Sequence, residues 1–330
     1  MRILVTGASG FIGSFIVEEA LDRGMEVWAA VRKSSSLKYL SDKRIHLITL
    51  DFSNKAQLVE RFRETVFDYV VHAAGVTKSA NKEDFHTVNT LGTRNFVEAL
   101  IEAGVPLRRF VYLSSLSIFG PIRESQPYQE IRDTDPPQPN TAYGKSKLEA
   151  ERFLGSLNDF PYIILRPTGV YGPRERDYFL MAQSIRNHLD FAVGYKPQDI
   201  TFVYVKDVVQ AVFLSLENGT TGKAYFLSDG KVYNSRDFSD LLRKELGNPW
   251  LLRIKAPLCL LRIVTAVGDV FGRVTHRVTA LNNDKYNIMR QRNWRCDIHP
   301  AMDELGYAPE YDLEKGVKEA VKWYKDNKWL

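Results

Sequence analysis

The chain is poor in cysteine. Cys259 and Cys296 are the only two in 330 residues, and neither sits in a CxxC pair or in a His-Cys cluster at metal-ligand spacing. A disulfide framework and a zinc site are therefore not expected, and no metal is assigned. Long apolar runs are missing too: PLCLLRIVTAVGDVFG (257–272) is broken by Arg262 and Asp269 and is too short to span a bilayer. The opening MRILVTGASG enters a strand-like run with no basic region ahead of an apolar one, so no secretory leader is expected and the cytoplasm is the expected compartment. There is no internal repeat, no low-complexity segment and no nucleic-acid reader motif, so neither nucleic acid nor membrane is an expected partner. Asn218-Gly219-Thr220 has sequon form but, with no secretory signal, reads as a surface turn.

What is present is ordinary for a soluble globular protein: 44% hydrophobic and 26% charged residues. The length suits two domains, or one large domain with an appended lobe, and suffices for a core without disulfides. Net charge is +5, with much of the excess late in the chain, at Arg253, Lys255, Arg262, Arg273, Arg277, Lys285, Arg290, Arg292 and Arg295. Two readings of that stretch stand open: a solvated basic surface, or a wall that attracts an anionic substrate.

The first 166 residues alternate strand-like and helix-like patterns. Apolar runs at 2–6, 25–31, 45–50, 69–74, 110–115 and 162–166 are separated by helical spacing at 11–24, 54–65, 84–104 and 143–157. Strands apolar throughout, with helices between them, predict a parallel sheet covered on both faces: an α/β, Rossmann-type doubly wound fold with right-handed crossovers. The expected division is a nucleotide-binding domain over 1–167, with 201–217 returning to it. A smaller C-terminal substrate lobe takes 168–200 and 218–330, with helices near 234–246 and 313–328.

ILVTGASGFIG (3–13) carries Gly7, Gly10 and Gly13 between the first strand and the first helix. Gly7 permits the tight turn, Gly10 lets backbone approach a pyrophosphate, and Gly13 lets the helix pack on the strand, with the phosphates at the positive helix end. At the end of the second strand an NAD enzyme usually carries an acid for the ribose hydroxyls. Here the segment is AAVRKSSS, with Arg32 and Lys33 and no carboxylate. Two cations and three hydroxyls suit a 2′-phosphate, so NADP(H) is the expected cofactor, with NAD(H) possible.

From these residues onward the chain resembles the extended short-chain dehydrogenase/reductase family, over most of its length. TGASGFIG (6–13) matches the family's glycine motif, LDF (50–52) its adenine-side Asp, HAAG (72–75) the segment after the fourth strand, and VNTLGT (88–93) the segment with its bracing Asn. VYLSSLSIFG (111–120) aligns Ser115 with the catalytic hydroxyl, YGKSK (143–147) is the Tyr-Lys motif, and RPTGVYGP (166–173) passes the nicotinamide and substrate. The resemblance implies Ser115, Tyr143, Lys147 and Asn89 as the catalytic set, with His72 structural. It implies a cofactor bed of Gly7, Ser9, Gly10, Phe11, Ile12, Gly13, Arg32, Lys33, Asp51 and Phe52. Ala73, Ala74, Gly75, Pro167, Thr168 and Val170 complete that bed, together with Tyr143 and Lys147. Thr77, Ser117 and Arg174 are the implied substrate contacts, and local turn capping is the other role open to Asp51.

Tyr143 and Lys147 are four apart and so share a helix face. The spacing alone is cheap, since Tyr39/Lys43, Tyr311/Lys315 and Tyr324/Lys328 repeat it. Those three lack an upstream Ser-Ser strand end and read as ordinary surface. A cation about 4 Å from a phenol is worth on the order of 4 kcal/mol at an effective dielectric of about 20, roughly three pKa units, so Lys147, aided by oxidised nicotinamide, is expected to bring the Tyr143 phenol down toward working pH. Tyr143 then exchanges a proton with a carbonyl or secondary alcohol while hydride moves to or from the nicotinamide.

Departures from the family narrow the chemistry. Related 4,6-dehydratases carry an Asp-Glu pair after the catalytic hydroxyl, where this chain has Leu116-Ser117, so dehydration is not expected. Gly169 stands where many sugar-nucleotide epimerases have Asn. The C-terminal part looks more like the dihydroflavonol-reductase and 3β-hydroxysteroid-dehydrogenase branches. The expected activity is an NADP(H)-dependent ketone/alcohol oxidoreductase acting on a small molecule. The alternatives are a nucleotide-sugar epimerase, with Arg174 and Arg176 gripping the diphosphate, and a non-catalytic NADP-binding regulatory protein. A homodimer is expected through the helices at 84–104 and 143–157, with Phe96, Leu100 and Leu148 in its seam.

Overall fold

The computed structural model describes the backbone of residues 1–275 and 282–330, and their side chains outside 269–275. Its elements in chain order are β1 (Arg2–Thr6), α1 (Phe11–Asp22), β2 (Glu26–Val31), β3 (His46–Thr49), α2 (Lys55–Glu64) and β4 (Tyr69–His72). Next come α3 (Glu83–Phe85), a π-helical turn (His86–Leu91), α4 (Gly92–Glu102), β5 (Arg109–Leu113), a 3₁₀ turn (Leu116–Ile118), α5 (Ala142–Gly155) and β6 (Tyr162–Pro167). Then follow β7 (Gly169–Tyr171), α6 (Asp177–Arg186), β8 (Leu189–Val193), β9 (Phe202–Tyr204), α7 (Val205–Glu217), β10 (Ala224–Leu227) and α8 (Asp237–Glu245). The chain ends with β11 (Leu252–Ala256), α9 (Leu258–Thr275), α10 (Asn283–Arg290), α11 (His299–Leu305) and α12 (Leu313–Asp326).

Seven strands form one parallel sheet in the order β10-β6-β5-β4-β1-β2-β3. Alternate side chains feed two cores, because successive residues of a strand point to opposite faces. Ile3 and Val5 of β1 pack with Val17 of α1 and Val212 of α7 on one face. Leu4 packs with Leu58 of α2, Phe96 of α4 and Leu154 of α5 on the other. This double coverage explains why β4 and β6 are buried along their whole length and read as continuous apolar runs. Chain order reverses between β1 and β4, so their C-terminal ends open the crevice where such sheets take ligands.

Three expectations need correction. The strand expected to rejoin the main sheet near 201–205 is β9, which pairs with β7 in a separate two-stranded sheet. The seventh main strand is instead β10, inside the stretch assigned to the lobe; α7, in contrast, does pack against α1, β5 and β6. The apolar residues offered for a dimer seam, Phe96, Leu100 and Leu148, are all buried within the chain, where they face its own sheet. Tyr324 is not surface either: it is buried in the lobe's aromatic core with Tyr171, Phe202 and Phe238, and its hydroxyl donates to the Gly172 carbonyl at 3.2 Å. In the lobe, β8 pairs with β11 in a second small sheet. Arg277 of the late basic stretch lies outside the described residues, as does the Arg273 side chain. Among the described residues no helix is long and apolar enough to cross a membrane.

Candidate active site

The turn between β1 and α1 is built from backbone contact. Gly7 has φ +67°, and a Cβ there would stand 2.7 Å from the Ala73 carbonyl carbon and 2.8 Å from the Ala74 nitrogen. A Cβ on Gly13 would stand 2.1 Å from the Gly7 carbonyl oxygen. The first and fourth strands therefore meet α1 with no room for a side chain. No side chain caps α1 and no acid lies in its first turn. The first-turn amides of Phe11, Ile12 and Gly13 thus point, unpartnered within the helix, toward the crevice beside Ser9 and Gly10. The site fits a dinucleotide pyrophosphate on these grounds.

Behind this turn, His72 is locked. The Thr93 hydroxyl donates to the Asn89 carbonyl at 2.7 Å, so it accepts from His72 Nε2 at 3.0 Å, and His72 Nδ1 accepts from the Thr6 hydroxyl at 2.9 Å. Burial pushes the ring down to about 3, which keeps it neutral. His72 thereby ties β4 to β1 and α4, as a structural residue does.

On the adenine side, the Arg32 amide donates to Ser35 Oγ at 2.9 Å and its carbonyl accepts from the Ser35 amide at 2.9 Å, forming a tight turn. Arg32 and Lys33 are exposed and, among the described residues, neither pairs with a carboxylate. Asp51 spends Oδ1 on the Ser53 amide and hydroxyl, at 2.9 and 2.7 Å, which holds its carboxyl below the usual range. Phe52 closes the floor against the His72 and Phe96 rings.

The catalytic candidates converge at the end of β5. Thr141 caps α5 by accepting from the Gly144 amide at 2.9 Å, which sets Tyr143 in the first turn. A Cβ on Gly144 would meet the Ser117 carbonyl at 2.4 Å, so α5 lies directly on the Ser115-Leu116-Ser117 turn. Ser115 Oγ accepts from the Ser117 amide and donates to the Ser117 hydroxyl, both at 3.1 Å. Lys147 reaches back under the sheet: its Nζ donates to the Leu113 carbonyl at 2.7 Å, lies 4.6 Å from the Tyr112 ring centre, and would be 3.5 Å from a Cβ on Gly75.

Asn89 sits in the π-helical turn, a feature that recurs at functional sites. Its Oδ1 accepts from the Val76 amide at 2.8 Å, and its Nδ2 donates to the Val76 carbonyl and to Ser146 Oγ, both at 3.0 Å. One amide therefore fastens the Gly75–Thr77 loop to the catalytic helix. Thr77 is exposed on that loop. Across the crevice, Thr168 donates to the Thr201 carbonyl at 2.8 Å, holding Pro167 and Val170 at the junction of β6 and β7.

In the chain alone, burial dominates the electrostatics of this group. Burial pushes the Tyr143 phenol up to about 12, and the Ser115 hydroxyl opposes that rise. Burial also pushes Lys147 down to about 8, opposed by Glu151 one turn further along α5. The expectation of a lowered phenol rested on a cation and an oxidised nicotinamide beside it; in the chain alone the desolvation of the buried phenol dominates.

Arg174, expected as a substrate contact, is engaged on α1 in this structure. Its guanidinium donates to Ser14 at 2.9 Å and Glu18 at 2.6 Å, and sits 4.2 Å from both the Phe15 and Tyr39 ring centres. It braces α1 and has no partner in the Ser115–Tyr143–Lys147 group.

Sequence reasoning missed two supports. Arg166 on β6 is buried and paired with Glu151, at 3.1 and 2.6 Å, and with Asp133. A charged residue inside an apolar strand was the available signal. Asp284 accepts from the Ala142 amide at 2.9 Å, so α10 sits over the start of the catalytic helix; nothing in the spacing announces that.

Residues 3–234 match the NAD dependent epimerase/dehydratase family, and the chain belongs to that family. Its fold and motif order place it among extended short-chain dehydrogenase/reductases, NAD(P)-dependent enzymes, as the sequence implied. It is 27% identical to the 3-beta-hydroxysteroid dehydrogenase of Mycolicibacterium neoaurum, covering 98% of this chain and 92% of that one. It is 28% identical to the dTDP-D-glucose 4,6-dehydratase of Mus musculus, covering 99% and 89%. The UDP-glucose 4-epimerase of Thermotoga maritima shares the fold, with a TM-score of 0.81 at 22% identity over 99% of this chain and 100% of that one.

Proposed function

We propose that the protein is an NADP(H)-dependent oxidoreductase acting on a carbonyl or secondary alcohol. The observation that carries this reading is the meeting of Ser115, Tyr143 and Lys147 at the end of β5, beside the Gly75 loop. When bound, the nicotinamide supplies or takes the hydride. Tyr143 holds the proton at the substrate oxygen; at about 12 its phenol is protonated at neutral pH and is a donor, which suits carbonyl reduction. Ser115 positions the same oxygen through its hydroxyl. Lys147, buried and charged below about 8, is placed to hold the ribose beside Gly75.

The preference for NADP(H) over NAD(H) rests on Arg32 and Lys33, cations without carboxylate partners at the end of β2. Calorimetric titration tests it: NADPH is expected to bind more tightly than NADH, with the difference largely lost in Arg32→Ala. Equal affinities, unaffected by that change, would remove the proposal.

One observation favours this reading over a nucleotide-sugar epimerase. A Cβ on Gly169 would stand 2.7 Å from the Tyr178 hydroxyl, so the space that an Asn side chain would need is filled. Arg174, offered for a diphosphate, is engaged on α1 instead. Dehydration finds no acid after Ser115, because Leu116 is buried there. A screen following NADPH absorbance with aldehydes, ketones, steroids and nucleotide sugars tests the reading. Turnover of ketones without a tightly held, non-exchanging cofactor is expected; a co-purified nucleotide with non-exchanging cofactor would favour the epimerase. Self-association through α4 and α5 remains proposed, now through exposed Leu91 and Ile101, and light scattering showing only a 37.8 kDa species would remove it. Two free cysteines suit the reducing cytoplasm.

A further inference from the structure

An exposed apolar surface lies where β11 runs into α9, with only Pro257 between them. Over its first two turns α9 buries only Leu261 and Thr265, while Leu260, Ile263, Val264 and Val267 face solvent, Ile263 and Val267 at 63% and 64% exposure. A helix this apolar is ordinarily covered. The small sheet beside it continues the surface. Phe191 of β8 and Leu252 and Ile254 of β11 share its outer face, because Ile254 registers with Phe191 and Asp190 on the opposite face is buried. The Gly194 amide donates to the Ala256 carbonyl at 2.9 Å, which brings the Tyr195-Lys196 loop to the start of α9.

Among the described residues, the unpaired charges of this surface are positive. Lys196 and Arg262 are exposed and, among the described residues, neither has a carboxylate partner; Lys255, which registers with Ala192 on the opposite face of the small sheet, has its Nζ 5.1 Å from the Tyr195 ring centre. Trp250 and Tyr195, each about two-thirds exposed, supply rings with polar tips at the rim. A second copy of the chain would bring like charges together. Apolar side chains, rim aromatics and unpaired cations together complement an anionic bilayer surface.

We propose that the β11–α9 face docks on anionic lipid, lying in the headgroup layer without crossing it. The test sediments the full chain with vesicles of phosphatidylcholine alone, or with about a third phosphatidylglycerol. The protein should pellet with the anionic vesicles and be released by salt. Ile263→Ser/Val267→Ser should weaken partitioning by at least about tenfold, from the lost apolar burial. Arg262→Glu should weaken it by at least about fivefold. Both changes are at exposed positions, so far-UV dichroism and the melting temperature should match those of the parent.

Failure to pellet with either vesicle overturns the proposal, as does pelleting that both variants and high salt leave intact. Self-association that the double variant abolishes, with no vesicle binding, assigns the face to a second copy and also overturns it. Should the double variant unfold, salt dependence and Arg262→Glu decide the question alone. The reductase reading is untouched by any of these results, since NADPH turnover is measured separately.

Discussion

The glycines of the β1–α1 turn and the glycine that opens β7 meet different things. In the nucleotide-binding half, a Cβ on Gly7 or Gly13 would collide with backbone, at 2.7 and 2.1 Å. In the lobe, a Cβ on Gly169 would meet the tip of a side chain, the Tyr178 hydroxyl at 2.7 Å. Backbone in a seven-stranded sheet cannot yield, because each strand is fixed by its neighbours. A tyrosine tip can be removed by one further substitution. At these positions the first half is therefore rigid, and the second is shaped by exchangeable side chains, as the proposed cofactor bed and substrate lobe would require. That division of labour suits a common cofactor and a variable substrate.

The largest effect should come from breaking the fixed half. Gly13→Ala is expected to cost more than about 3 kcal/mol in unfolding free energy and to abolish measurable cofactor binding, with no single second-site change restoring either. Thermal unfolding with a cofactor titration checks it. In the lobe, Gly169→Ala should cost only about 1–2 kcal/mol, and Tyr178→Phe in the same chain should recover most of that, because contacting sites couple. Equal rescue in both halves, or in neither, would erase the contrast.

Next in size is Tyr143→Phe, expected to lower turnover by roughly 10²–10⁴-fold while leaving the cofactor dissociation constant nearly unchanged, because the proton is lost and the ring stays. Retained activity would remove Tyr143 from its role and the reductase reading with it.

How much of this could be read from the sequence follows the same division. The glycine turn, the strand series to β6 and the Ser115–Tyr143–Lys147 convergence were all legible. Each depends on local pattern: continuous apolar runs for a doubly covered sheet, glycine where backbone must touch backbone, a four-residue step on a helix. The lobe was not legible, because its contacts join segments far apart in the chain. Asp284 meets Ala142, Lys285 and Lys78 meet Asp177, and β8 meets β11 across some sixty residues. Short strands such as β7 and β9, three residues each, carry too little periodicity to announce themselves. The burial that raises the Tyr143 phenol in the chain alone was not legible either, because burial is not visible in a spacing.

Lys147 gives a smaller but sharper test. Its folded value of about 8 lies below the ordinary 10.5, so the ammonium loses its proton as pH rises through about 8. Carbonyl reduction is expected to fall across that window. The sign for stability is opposite: between about 8 and 10.5 the unfolded chain binds the extra proton, so this group makes the protein more stable as pH rises there. Glu151→Gln removes the carboxylate that supports the charge and leaves Arg166 nearby, so the alkaline midpoint of kcat/KM should move down, by about one unit. An upward or absent movement would free Lys147 from Glu151's influence.

The smallest expected effect lies at the rim. Lys78 and Lys285 both pair with Asp177, Lys285 at 3.7 Å, and so link the Thr77 loop, α6 and α10 across the crevice. All three side chains are a third or more exposed, so each pair is worth about 0–1 kcal/mol and Lys285→Ala should hardly move the melting temperature. Its consequence should appear in substrate binding, because the linked segments border the proposed substrate site at Tyr143 and Ser115. A rise in KM of a few fold at unchanged kcat is expected. Lys78→Ala should behave similarly, and the double variant should show less than the sum of the two, since both act through one carboxylate. Strict additivity, or a fall in kcat instead of a rise in KM, would show that the lobe's side chains do not set the rim, and the contrast between fixed bed and adjustable surface would fail where substrate enters.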